Sequence, residues 1–231
     1  LKSFITQLGS ANILVSEFVE TWNKKDRANI DGFFLAPNVI VLKRQQNALR
    51  REIFTLAHEL GHYLLNEEEV ESIDFADMYE KSPNKIENWC NDFAFYFLAG
   101  RYADTINQLG VANASNDYHM EVIAEVSKNT HLSRLALYTR LLLNGKIAYT
   151  NYQNIKKDFE EQFRIQDAEQ RKQRELDKLA GIESNARAAQ PIKSPLLIST
   201  LQTAFYEGVI NEYDFCKTLN IQPDKLPKYL Q

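Results

Sequence analysis

The chain has 231 residues, 44% of them hydrophobic and 25% charged, which is ordinary globular composition and enough length to bury a core without staples. A net charge of −4 argues against a chain whose main business is gripping a phosphate backbone, and two cysteines, Cys90 and Cys216, are too few for a disulfide framework. Collagen, coiled coil, disorder and a membrane protein are set aside as well, since no run approaches the ~20 apolar residues of a span and the first residues lack an export signal. A soluble, cytoplasmic protein is expected, and a chain opening on Leu1 leaves room for an upstream segment.

In chain order, residues 8–24 have helical spacing, with Leu14, Phe18 and Trp22 recurring every fourth residue. Two extended runs, 30–35 and 39–42, flank the turn signal Pro37-Asn38 and predict a hairpin. Residues 50–65 are helical again, with Ile53, Leu56, Leu60 and Leu64 on one stripe and Phe54, His58 and His62 on a neighbouring face. The acidic stretch 67–77 reads as a loop or short helical turns. Ser82-Pro83 then opens a helix over 84–99 that is apolar on several sides and is expected to be buried. Short helices follow at 101–109, 117–128 and 133–144, the last stopped by Gly145. Residues 149–179 form the longest predicted helix, and its polar second half suits a solvated arm. Small residues and two prolines make 184–195 a linker, and 196–231 a helical tail with segments around 199–206, 212–218 and 223–230. The fold class is α+β, mostly helical, with a small sheet near the N-terminus.

One constellation carries chemistry. His58-Glu59-Leu60-Gly61-His62 is an H-E-x-x-H motif inside a predicted helix. Four residues advance a helix by about one turn, so both imidazoles project from one face and can take two corners of a tetrahedral Zn²⁺ site. Glu59, rotated by about 100° from His58, stands beside that site, where a general base for an attacking water belongs. Gly61 is expected to leave the surface near His62 open to a substrate strand.

A catalytic zinc has a third protein ligand. Cys90, His119, His131, Glu71, Asp74 and Asp77 are candidates, but Glu87 is better placed, at the start of a helix in which an uncompensated carboxylate is costly. Asn91 shares its face and is positioned to hydrogen-bond a ligating imidazole. The oxyanion donor stays open among His119, His131, Tyr63 and Tyr96. Lys43-Arg44 and Arg50-Arg51 form a small basic cluster, read as a solvated strand end, and a faint helix-turn-helix look around Thr130-His131-Leu132-Ser133 is read as packing without DNA contact.

These residues resemble a known family. Residues 51–65 are similar to the zinc-helix signature of the ImmA/IrrE metallo-endopeptidases, and Glu87-Asn88-Trp89-Cys90-Asn91-Asp92-Phe93-Ala94 to their second motif, E-x-x-A-N-x-F-A, whose glutamate is the third zinc ligand. Cys90 stands where alanine is usual, and Phe97-Leu98-Ala99-Gly100-Arg101 lacks the proline that commonly closes that helix. With this resemblance the expected organisation is a zincin-like peptidase domain over 1–146, followed by the long charged helix over 147–183, the linker over 184–195 and the helical C-terminal segment over 196–231 read from the residues above. It implies Zn²⁺ held by His58, His62 and Glu87, with Glu59 as general base. It further implies a cytosolic bacterial or phage enzyme that cuts a helix-turn-helix repressor and relieves repression. The alternative is a regulatory or interaction module, or a transcriptional regulator with an upstream DNA-binding domain, with weak or no peptidase turnover.

Overall fold

The computed structural model describes residues 1–19, 30–44, 49–68, 85–181 and 191–230. The chain divides into two compact units; residues 1–19, 30–44, 49–68, 85–93 and 191–230 belong to one and residues 94–181 to the other. The class is α+β and mostly helical, and no described helix is long and apolar enough to cross a membrane.

The first unit opens with helix α1 (Lys2–Ser10). The chain then turns through Asn12, at φ 60, into strand β1 (Leu14–Val19). The helix expected over 8–24 is therefore replaced by a short helix and a strand. The spacing of Leu14 and Phe18 imitates a helical turn, but Ile13 and Val15 are buried at 4% and 0% exposure, a period of two, and pairing to a distant strand decides the outcome. Trp22, the third member of that pattern, lies outside the described residues.

The expected hairpin forms as β2 (Gly32–Leu35) and β3 (Val39–Arg44), antiparallel, with Gly32 opposite Leu42 and Leu35 opposite Val39. β1 runs parallel to β3 from Leu14↔Val39 to Val19↔Arg44, so the described strands lie in the order β1-β3-β2 with β2 at an edge. Helix α2 (Leu49–Leu65) packs on β2 and β3, and Ile5, Leu8, Val15, Phe34, Ile40, Leu42, Leu56 and Leu60 share one core. Helices α3 (Lys85–Ala99), α8 (Pro195–Tyr206) and α9 (Glu212–Leu219) contribute further. α8 packs on α1 and β1, and with α9 it encloses a smaller core of Phe215, Cys216, Leu219 and Leu226.

The Lys43-Arg44 half of the basic cluster is not a solvated strand end, whereas Arg50 and Arg51 are exposed. Lys43 and Arg44 are 7% and 9% exposed. Arg44 donates from Nη1 to Glu17 Oε1 at 2.5 Å and from Nε to Glu52 Oε2 at 3.0 Å, while Glu17 Oε2 accepts the Ile192 and Lys193 amides at 2.7 and 2.9 Å. Arg51 Nε donates to Asp31 Oδ2 at 2.6 Å. Breaking a buried charge network by deleting one partner strands the remaining charges, so Arg44→Met lowers the unfolding free energy by about 3–5 kcal/mol, measurable by urea titration.

The second unit holds the end of α3 with α4 (Ala103–Gln108), α5 (Met120–Asn129), α6 (Arg134–Leu143) and α7 (Tyr149–Leu179). Ser133 caps α6, its Oγ accepting the Ala136 amide at 3.0 Å, and Leu132 is buried with Ser127 donating to its carbonyl. α7 buries Tyr152 and Ile155 at its start and exposes Phe163, Leu176 and Leu179 further along. α3 is not sealed all round as expected: Trp89, Tyr96 and Phe97 are 43%, 46% and 50% exposed.

Candidate metal centre

His58 and His62 lie one turn apart on α2, each 1% exposed, because the helix is packed against the sheet on one side and α3 on another. Their Nε2 atoms are 3.1 Å apart. Glu87, in the first turn of α3, places Oε2 3.1 Å from His58 Nε2 and Oε1 3.0 Å from His62 Nε2. The opposite edges of the rings are held by acceptors: Asn91 Oδ1 lies 3.0 Å from His58 Nδ1, and the Glu67 carbonyl 3.2 Å from His62 Nδ1. Each acceptor draws a proton onto Nδ1, which leaves the Nε2 lone pairs aimed at a common point.

Two lone pairs and a carboxylate directed at one point repel unless a cation lies between them. Burial acts to raise the Glu87 carboxyl, yet hydrogen bonds to both imidazoles outweigh it and hold the group far below the carboxylate range. Burial acts to lower His62, but hydrogen bonds with Cys90 and Glu87 outweigh it and raise the ring well above the usual histidine range. Both shifts arise from the same short imidazole–carboxylate contacts. Among the described residues, these three form the group able to hold a metal, their ligand atoms within 4.8 Å of one another. A tetrahedral ion with bonds of ~2.0–2.1 Å sets its ligand atoms ~3.3 Å apart, close to the separations here. Two imidazoles and one carboxylate are a donor set that suits zinc and leaves one corner free.

Glu59 stands beside this point, 3% exposed. One side of its carboxylate bonds the Phe34 backbone N–H of β2, while Oε2 is buried without a hydrogen-bond partner. Burial pushes its pKa up to about 7 against the lowering pull of His58 and His62. A buried, unpartnered carboxylate oxygen costs free energy, and a water beside the meeting point of His58, His62 and Glu87 would satisfy it.

Two glycines permit the close approach. A Cβ at Gly32 would fall 2.7 Å from Thr55 Cγ2 and 3.3 Å from Glu59 Cγ, so glycine lets β2 settle on the Glu59 side chain. A Cβ at Gly61 would lie 3.1 Å from both Cα and Sγ of Cys90. Gly61 is thus not an opening for substrate, as expected from the sequence, but the contact that lets α3 bring Glu87 and Asn91 to the imidazoles.

The other candidates lie elsewhere. Cys90 is fully buried and bonds His62 but stands outside the trio. Tyr63 packs its ring edge-on to Phe34 at 5.8 Å as part of the core. His119, His131 and Tyr96 belong to the other unit: the His119 ring lies 3.2 Å from the Gly110 carbonyl, His131 is exposed, and the Tyr96 hydroxyl accepts from Asn107 and Arg140. Glu71, Asp74 and Asp77 lie outside the described residues. Sequence reasoning missed Glu67, whose carbonyl, not its carboxylate, meets His62; Asn66, a common left-handed stop after a helix, was the available signal.

No curated protein matches the chain. Residues 10–99 match the family described as the IrrE N-terminal-like domain, peptidase family M78. That span contains the described sheet, the H-E-x-x-H helix and the helix bearing Glu87 and Asn91, so it is residues 10–99 that are similar to an IrrE N-terminal-like domain.

Proposed function

We propose that the protein is a zinc endopeptidase that cuts one regulatory protein, a helix-turn-helix repressor in the cytoplasm, and so relieves repression. The observation that carries the reading is the convergence of His58 Nε2, His62 Nε2 and the Glu87 carboxylate within about 3 Å of one another, with the unpartnered Glu59 oxygen beside them. His58, His62 and Glu87 hold the ion, Asn91 orients His58, and Glu59 is the base. When bound, zinc supplies Lewis acidity that polarises the scissile carbonyl and eases deprotonation of the attacking water.

Glu59 Oε2 accepts the proton of that water and returns it to the leaving amine, and the Phe34 amide fixes the carboxylate in the facing orientation. β2 lies at the edge of the described sheet next to this base, which supports binding of an extended substrate segment as an added strand. The repressor as substrate rests on the family resemblance.

Incubating the chain with regulators encoded beside its gene, with and without chelator, tests the reading. Chelator-sensitive cleavage at one bond is expected; a stable complex of uncut partners would contradict it. Asn91→Ala, which frees the His58 Nδ1 proton from its acceptor, weakens zinc binding by about 10–100-fold, read by competition with a chromophoric chelator.

A further inference from the structure

The end of α2 does more than stop a helix. Asn66 sits in the left-handed region at φ 54, its amide donating to the Tyr63 carbonyl at 3.1 Å while the Glu67 amide donates to the His62 carbonyl at 3.1 Å. These are the paired bonds of a Schellman cap, in which the left-handed residue reverses the chain over the last turn. Here the position three residues inside the helix end is His62. The Glu67 carbonyl, carried round by the same reversal, accepts from His62 Nδ1 at 3.2 Å. Both backbone groups of Glu67 are therefore spent on one histidine. The next residue fixes the turn from the other side: Glu68 Oε1 accepts the Ala36 amide at 2.5 Å, in the connection between β2 and β3.

We infer that the cap Asn66-Glu67-Glu68 is a built part of the metal centre, with Asn66 and Glu68 as positioning residues that aim His62 Nε2 through the Glu67 carbonyl. The inference rests on His62 being a zinc ligand. The carbonyl sets the tautomer of the ring and its rotation about χ2, as outer partners of ligating histidines do. Asn66 supplies the backbone reversal, which glycine also adopts and a β-branched residue resists. Glu68 supplies an acceptor oxygen, which glutamine retains and alanine lacks.

The test is titration of Zn²⁺ alone into the full chain, in competition with a chromophoric chelator, for the native protein and five variants. Asn66→Val and Glu68→Ala are expected to weaken zinc binding by about tenfold, the lower end of the range for outer-shell partners. Asn66→Gly, Glu68→Gln and Glu67→Ala are expected to stay close to native, the last because it removes a carboxylate but keeps the carbonyl. A slowly exchanging His62 Nδ1 proton resonance is expected in the native chain, lost in Asn66→Val and kept in Asn66→Gly. Native-like affinity in both Asn66→Val and Glu68→Ala would overturn the inference while leaving the zinc reading intact. So would equal weakening by Glu67→Ala, Glu68→Gln and Glu68→Ala, which is the mark of lost charge. Failure of the native chain to bind zinc would sink the zinc reading itself, and this inference with it.

Discussion

Glu59→Gln is expected to leave zinc content unchanged while cleavage falls by about 10²–10⁴-fold, the span attributed to a positioned general base. The substitution is nearly isosteric, so the close fit of β2 against the Glu59 side chain survives, and glutamine can still accept the Phe34 amide. What disappears is a basic oxygen at the buried Oε2 position. Elemental analysis together with timed cleavage of the partner separates the two quantities. Full cleavage by zinc-loaded Glu59→Gln protein would remove Glu59 from the chemistry.

His58→Ala or Glu87→Ala is expected to produce the opposite pattern, a folded chain without its ion. Each deletes one of three donors and leaves the remaining two too few to compete with water, so the loss of affinity exceeds the about 10–100-fold of outer-shell changes. A ligand that binds only the folded state stabilises it by about 2.7 kcal/mol at a hundredfold excess over its dissociation constant. The native chain should therefore unfold at a lower temperature after chelation, and the ligand variants should unfold at one temperature with or without zinc. A zinc-dependent shift that persisted in Glu87→Ala would place the ion elsewhere.

The parts of the fold and site set by short-range geometry were legible in the sequence. His58, Glu59 and His62 share a helix, so spacing alone puts the imidazoles side by side; Glu87 and Asn91, also one turn apart, reach both rings once the two helices pack. The β2–β3 hairpin was announced by Pro37 and Asn38. What was hidden depends on partners remote in sequence. β1 imitates a helix because Leu14 and Phe18 are four apart, and only its pairing with β3 makes it a strand. Arg44 reads as a surface charge until Glu17 and Glu52 close on it. Gly61 owes its identity to Cys90 on another helix, and the Glu67 carbonyl is a backbone atom whose side chain says nothing of its role.

The most direct measurement is anomalous diffraction at the zinc absorption edge from crystals of the full chain grown with Zn²⁺. The expected result is one peak within bonding distance, ~2.0–2.1 Å, of His58 Nε2, His62 Nε2 and a Glu87 oxygen, with the fourth corner facing Glu59. A peak elsewhere, Glu87 turned away from both rings, or a protein side chain filling that corner would contradict it.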